Sequence, residues 1–234
     1  MNLFSIKELY EMECQARKNS PYTSSKKQMH KWNNMHLAKG ITFTDTNYFP
    51  ILKPYTGPTD FSIFPFNKWK SLSGANQALH FFQYDYRFDN AVWKNLESTT
   101  RKLIPFDFLF TPDYSLYVEE YLTQLNKEAI YKTRFVGAYW QNCGFNVIPT
   151  VSWGNANSFS YALDGLPTNS VLATCGVGNK HCKSSLSLWK YALQRIDSEL
   201  TPIKIFVYGE PIEVPYIKAE LKFIPDYIST HFRS

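Results

Sequence analysis

The sequence predicts an α/β fold with a mainly parallel sheet built from repeated βα units, either an open three-layer sandwich or a partial barrel. From residue 76 onward, five short apolar runs rich in β-branched or aromatic residues recur along the chain. Most of them lack strict alternation with polar residues, as expected of strands covered on both faces. Helical patterns separate the runs, and such alternation favours parallel strands joined by helical crossovers.

The predicted strands are, in chain order, ALHFFQYD, FDFLFT, FNVIPTVSW, SVLATCG and PIKIFVYG. Between the second and third, Leu122, Leu125 and Ala129 share one helical face, and Gly144 supplies a C-terminal stop. Between the fourth and fifth, Ser184 or Ser185 can cap a second helix. Its apolar stripe consists of Trp189, Ala192, Leu193, Ile196 and Leu200, before Pro202. Five strands are too few for an eight-stranded barrel unless the flanking segments add more.

Four segments are expected along the chain. Residues 1–40 carry seven Lys or Arg against three Glu and form a basic N-terminal arm, in which NLFSIKELYEMECQARK has helical spacing. Residues 41–75 form a lead-in rich in Pro and aromatic residues, which suits an extended wrap over a core. Residues 76–215 form the α/β core domain, and residues 216–234 form a C-terminal tail.

Composition sets the broad class of protein. A chain of 234 residues that is 44% hydrophobic can bury a full core. Neither a secretory signal nor a membrane-length apolar run is expected, so we predict a soluble, cytoplasmic protein without a membrane partner. The four cysteines are too sparse for a disulfide scaffold and are expected to be reduced. A net charge of +5 permits contact with nucleic acid without requiring it.

Polar residues follow the predicted strands, where ligands bind in parallel α/β sheets. The candidates at these strand ends are Asp85, Arg87 and Asp89, then Asp113, Tyr114 and Ser115, then Trp153 and Asn155, and finally Tyr208 and Glu210. We predict Asp85 and Asp113 as the catalytic pair, because neighbouring carboxylates can do acid–base work or share a divalent metal ion. Alternatively, Asp113 caps a turn, and Asp85 pairs with Arg87 or Arg134.

The loop GVGNKHCKSS follows the fourth strand and offers a second kind of site. Gly176, Gly178, Lys183 and Ser184 could cradle an anion at the start of a helix, although the glycine pattern of a P-loop is absent. The alternative is an ordinary loop. Cys175, His181 and Cys182, with Cys143 joining in space, are the ligand types of zinc but show no complete ligand spacing. Nothing in the sequence brings a Cys nucleophile and a His base within reach of each other.

Two tryptophans in GAYWQNCGFNVIPTVSWG have different expected roles. Trp140 lies on the apolar stripe of the long helix and is expected in the core. Trp153 lies at a strand end beside Gly154 and Asn155, where a base or sugar ring could stack on it; the alternative is core packing here as well.

Several segments together resemble an uncharacterised protein family that is found in bacteria and in phages and other mobile elements. The family is known by a domain-of-unknown-function label. The resemblance covers about residues 76–210 and rests on FFQYDYRFDNAVW, FDFLFTPDYSLY, YKTRFVGAYWQNCGFNVIPTVSWG, ATCGVG and IKIFVYG. It implies one coherent domain and a setting in a mobile element. The residues in its signature segments are Asp85, Arg87, Asp113, Arg134, Trp140, Gln141, Trp153 and Gly176. Arg134 and Gln141 are therefore added to the candidate ligand-binding residues.

Three functions are consistent with this pattern. The first is a phage- or plasmid-type accessory protein that engages nucleic acid, or a nucleic-acid-processing partner, through the arm and the aromatic rim. The second is an enzyme acting on a small phosphorylated or sugar-like substrate at the strand ends. The third is an inhibitor that binds a host protein through exposed aromatic residues.

Overall fold

The computed structural model describes residues 33–179 and 182–225. The chain divides into two compact units, Met1–Leu37 and Ala38–Ser234. Within the first unit, the described residues include one 3-10 helix, Met35–Leu37. The predicted arm and its helix therefore lie almost entirely outside the described residues. The strands and the α-helices described belong to the second unit.

The described part of the second unit contains seven strands and five α-helices. The strands are β1 (Ser62–Pro65), β2 (Gln77–His80), β3 (Phe108–Phe110), β4 (Asn146–Ile148), β5 (Val171–Cys175), β6 (Lys204–Tyr208) and β7 (Glu220–Ile224). The helices are α1 (Asp89–Val92), α2 (Leu96–Leu103), α3 (Thr123–Asn142), α4 (Phe159–Ala162) and α5 (Lys183–Leu200). Short 3-10 helices occupy Phe66–Ser71, Asp85–Arg87, Glu120–Leu122 and Ala156–Ser158.

All the pairs among the described strands are parallel, and these strands follow one another in space in the order of the chain. One sheet has the order β1-β2-β3-β4 and the other has the order β5-β6-β7. A parallel bridge between Thr150 and Ala173 links the two just beyond the end of β4. The order does not reverse at any point, unlike that of a doubly wound sandwich.

Contacts between distant strands show that the sheet curls into a partial barrel. The ring of Phe82, just after β2, stacks on that of Tyr208 in β6 with 5.1 Å between centroids. In a flat sheet these strands would stand four places apart, or roughly 19 Å. Phe61, just before β1, lies 5.7 Å from Phe206 of β6. One apolar cluster takes side chains from every described strand, as the interior of a closed or nearly closed barrel does.

Helices cover the outside of this partial barrel. Trp189, Leu193 and Ile196 of α5 pack on outward-facing residues of β5 and β6. Trp140 of α3 is fully buried against Phe81, and its Nε1 donates to Thr100 Oγ1 of α2 at 3.0 Å. The expectation that Trp140 belongs to the core is therefore confirmed.

The five predicted runs are confirmed as β2 to β6, and the structure adds a strand on either side of them. β1 comes from the segment interpreted as a lead-in, and β7 comes from the segment interpreted as a tail. Both are edge strands with partly exposed side chains, so neither has a continuous apolar run. The predicted cap of α5 is wrong by two to three residues, because Cys182 occupies the N-cap and Ser184 and Ser185 lie in the first turn.

Candidate functional site

The carboxyl ends of five strands surround a cavity of about 440 Å³, which we call the mouth cavity. The first sheet contributes to it at the ends of β1, β2 and β3. The second sheet contributes at the ends of β5 and β6. The lining residues are Pro65, Asn67, Phe82, Gln83, Tyr84, Arg87, Asp113, Ser115, Cys175, Val177 and Tyr208. The structure thus brings four of the strand-end candidates to one cavity, namely Arg87, Asp113, Ser115 and Tyr208.

Asp113 borders two cavities, because it also lines a smaller one of about 170 Å³ beside Ser152 and Trp189. Its carboxylate accepts a short hydrogen bond from Ser152 Oγ, on the segment that follows β4. The side chain keeps some accessible surface, but the protein atoms packed around the carboxylate withdraw it from bulk water. This burial raises the pKa of Asp113 from 3.8 to about 7, against the hydrogen bond from Ser152, and the negative charge of Asp85 adds to the increase.

Asp85 is held by the loop that carries Asp113. The backbone N–H of Ser115 donates to the Asp85 carboxylate at 3.2 Å, and the Ser115 hydroxyl donates at 3.1 Å. Burial raises the pKa of Asp85, while the bonds from Ser115 act in the opposite direction. The sequence left open a pairing of Asp85 with Arg87 or Arg134. In the described residues, the hydrogen-bond partner of Asp85 is Ser115 instead.

A third cavity, of about 410 Å³, lies on the outer side of Asp85 and is lined also by Asp89 and Lys132. The hydroxyl of the buried Tyr114 donates to Asp89 Oδ1 at 3.2 Å. Burial, together with the charge of Asp89, raises the pKa of Tyr114. Tyr114 therefore acts as a neutral hydrogen-bond donor at this edge of the site.

Arg87 lies beside two exposed aromatic rings. Tyr84 and Tyr86 are 65% and 72% exposed, and their rings stack with centroids 5.8 Å apart. The Arg87 guanidinium carbon lies 5.9 Å from the first ring centroid and 5.8 Å from the second. A cation among exposed rings of this kind can receive both an anionic group and a flat ring.

Gln83 is a site residue that the sequence analysis missed. Both polar atoms of its side-chain amide, Nε2 and Oε1, are buried and have no hydrogen-bond partner. Its backbone N–H, in contrast, donates to Phe81 O at 2.8 Å. Buried amides are almost always paired, so this one is unusual. The sequence gives only a weak signal for it, which is a single amide in the otherwise aromatic run FFQY.

Two candidate ligand-binding residues lie in α3 and form hydrogen bonds to backbone groups of other segments. The fully buried Arg134 donates to the backbone carbonyls of Thr150 at 3.1 Å and Ala162 at 2.9 Å. Burial lowers the pKa of Arg134 to about 9, and the charge of Asp164 opposes this effect. Gln141 bonds both to the N–H and to the carbonyl of Lys53, at 2.9 and 2.8 Å. We assign structural roles to both residues.

The candidates after β4 are engaged in packing and capping. Trp153 is partly buried and stacks on Phe159 with centroids 6.1 Å apart, although one edge lines the smaller cavity beside Asp113. Asn155 Oδ1 accepts from the N–H of Ser158, and its Nδ2 donates to Val118 O at 2.8 Å. The sequence-based alternative for Trp153, core packing, therefore describes most of its surroundings.

The predicted anion loop is only partly within the described residues, because positions 180 and 181 lie outside them. Gly178 has a φ of +86°, which an L side chain rarely adopts, and Lys183 and Ser184 are exposed at the start of α5. Gly176 packs against Trp189 and Val207 instead of facing open space. Glu210 is exposed just after β6. The anion site stays a prediction.

The described residues contain no group of three or more His, Cys, Asp or Glu side chains that could hold a metal ion. Among the described residues, Cys143, Cys175 and Cys182 are not joined in disulfides. His181, the histidine of the predicted zinc site, lies outside the described residues. The side chains that line the mouth cavity include one carboxylate, one guanidinium, one thiol, two amides and several aromatic rings.

Across residues 33–179 and 182–225, none of the helices combines the length and the hydropathy that crossing a membrane requires.

Comparison with known proteins identifies relatives in phages. The Gene 1 protein of Mycobacterium phage L5 is 32% identical over 180 residues, which cover 73% of this chain and 75% of that protein. The Gene 1 protein of Mycobacterium phage D29 is 28% identical over 200 residues, which cover 82% of this chain and 70% of that protein. No solved structure matches the chain.

A sequence family described as "Domain of unknown function (DUF4417)" matches residues 44–228. The match extends beyond the 76–210 segment that carries the resemblance seen in the sequence, and it includes β1, β7 and every residue of the mouth cavity. The resemblance to a domain-of-unknown-function family is thus confirmed, and the chain belongs to the DUF4417 family.

Proposed function

We propose that the protein is an enzyme that binds a small polar substrate in the mouth cavity and uses Asp113 as a general acid or base. The observation that carries this proposal is the Asp113 carboxyl, with a pKa of about 7, at the edge of a cavity of about 440 Å³. A group with a pKa near neutrality exists in both protonation states under working conditions and can transfer a proton in either direction.

The position of Asp113 supports this role. Active sites of parallel barrels are formed by the loops that follow the strands, and Asp113 follows β3. Ser152 holds one carboxylate oxygen and thus limits the rotation of the group. The second carboxylate, Asp85, is anchored by Ser115, and its charge contributes to the raised pKa of Asp113. Pairs of carboxyls in unequal surroundings commonly divide acid and base roles between them.

Arg87 and the aromatic residues Phe82 and Tyr208 are the side chains that we expect to contact the substrate. Arg87 is exposed and lines the mouth cavity, so it can meet an anionic group. Phe82 and Tyr208 also line this cavity and stack on each other. The phage relatives favour a role in a phage or another mobile element.

A turnover screen tests the enzyme proposal. The purified full chain is incubated with nucleoside monophosphates and phosphorylated sugars, and conversion is followed by proton and phosphorus NMR. We expect turnover of a member of this panel that changes through pH 7, is lost in Asp113→Asn and is kept in Asp60→Asn, where an exposed carboxylate is removed. Binding without turnover in the wild-type chain would leave a binding protein and contradict the enzyme proposal.

A second candidate function is engagement of single-stranded nucleic acid. The observation in its favour is the stacked, exposed pair Tyr84 and Tyr86 with Arg87 beside both rings. Bases stack on exposed aromatic side chains, and arginine adds attraction to the phosphates. Fluorescence anisotropy with DNA and RNA across a salt series tests this function. We expect an affinity that falls with salt and falls again in the variant Tyr84→Ala. Failure to bind at low salt would refute it.

A further inference from the structure

The unpaired amide of Gln83 indicates which polar groups a ligand of the mouth cavity should carry. Gln83 lines this cavity, and its Nε2 and Oε1 are buried without partners. An amide left in this state destabilises the folded protein, because the polar atoms lose water and gain nothing in exchange. Neither atom has accessible surface, so a ligand in the cavity can pair with them only when the Gln83 side chain turns toward it; one acceptor and one donor side by side would then satisfy both atoms.

The surroundings of Gln83 restrict the ligand further. The adjacent residues are Phe82, stacked on Tyr208, and Tyr84, which is next to Arg87 in space. Aromatic rings favour a flat partner, and the guanidinium favours an anion such as a phosphate. The volume of about 440 Å³ falls within the range of roughly 300–1,000 Å³ in which proteins hold small ligands.

We propose that the ligand of the mouth cavity is a nucleotide, whose base edge pairs with the Gln83 amide and whose phosphate meets Arg87. Glutamine pairs through two hydrogen bonds with base edges that present an acceptor beside a donor, as adenine does. The same chemistry is available from a free nucleotide or from one unstacked nucleotide of a single strand. This inference rests on the proposed function of the mouth cavity and names its substrate class.

The proposal also predicts that the Gln83 amide lowers the stability of the free protein while it contributes to ligand binding. Methionine has nearly the shape of glutamine but carries no amide, so Gln83→Met removes the unpaired polar atoms. The variant is expected to melt at a temperature equal to or higher than that of the wild-type chain. If Gln83 had a structural role through its amide, the same substitution would lower the melting temperature.

Isothermal titration calorimetry with defined probes tests the proposal. The probes are AMP, GMP, CMP and UMP, ribose 5-phosphate as the matching ligand without a base, and a ten-nucleotide single strand of thymidylate. We expect at least one nucleotide, or the strand, to bind at least tenfold more tightly than ribose 5-phosphate. Gln83→Met should reduce that preference to less than threefold. Gln124→Met, at an exposed glutamine in α3, should preserve it.

The outcomes separate this inference from the enzyme proposal. Equal binding of ribose 5-phosphate and every nucleotide, or a preference that survives Gln83→Met, would overturn the nucleotide proposal even if Asp113 proves catalytic. Conversely, nucleotides that bind through Gln83 but are not converted would support the ligand class and overturn the enzyme. Tighter binding of the strand than of every mononucleotide would identify the single strand as the source.

Discussion

Replacing Asp113 by Asn should stabilise the protein at neutral pH, by an amount that depends on pH. In the folded state the pKa of Asp113 is raised from 3.8 to about 7, so folding favours the protonated carboxyl. In the wild-type chain, the contribution of this carboxyl to the free energy of unfolding is therefore complete below about pH 4. It decreases progressively as the pH rises to about 7. Asparagine is neutral throughout and still offers an oxygen to the Ser152 hydroxyl.

The difference between the two pKa values corresponds to about 4 kcal/mol, which is an upper limit because part of the Asp113 side chain faces the cavity. We expect the free energy of unfolding of Asp113→Asn to match that of the wild-type chain at pH 4 and to exceed it by about 2–4 kcal/mol at pH 8. Urea unfolding across this range measures both, and Asp60→Asn controls for the change in net charge. A difference that is constant with pH, or a less stable variant at pH 8, would refute the reasoning.

Three further predictions concern other parts of the structure. Arg134→Met should lower the free energy of unfolding by about 3 kcal/mol in urea titrations, because it leaves buried backbone carbonyls without donors, and Arg134→Lys should not restore it. Gly154→Ala should cost about 2 kcal/mol by the same measurement, since the added Cβ would stand 2.1 Å from the Tyr117 carbonyl oxygen. Hydrogen bonds from the Ser184 hydroxyl and from nearby backbone N–H groups lower the pKa of Cys182 to about 7. Alkylation at this thiol, followed by peptide mass spectrometry, should reach half its maximal rate near pH 7, and Ser184→Ala should move that midpoint to higher pH.

The sequence was sufficient to predict the parallel α/β class and the central strands, because buried strands have continuous apolar runs. It did not reveal β1 and β7, whose half-exposed edges weaken that signal. The choice between sandwich and partial barrel depended on contacts such as that between Phe82 and Tyr208, which join residues far apart in the chain.

The candidate site was predictable only in part. Reading the strand ends one by one found Asp85, Arg87 and Asp113, because parallel strands deliver their carboxyl ends to one edge. The same reading could not distinguish Arg134, whose charge is satisfied by buried carbonyls, from an arginine that faces a cavity. Nor could it find Gln83, since the absence of hydrogen-bond partners is a property of three-dimensional packing.

The central claim is that the mouth of the partial barrel contains a carboxyl group, that of Asp113, whose pKa lies near 7. The most direct test is a carbon-13 NMR titration of Asp113 in the full chain, with the resonance assigned by its loss in Asp113→Asn. A midpoint near pH 7 is the predicted result. A midpoint close to the ordinary value of 3.8 would show that Asp113 is ionised at neutral pH and would contradict the account.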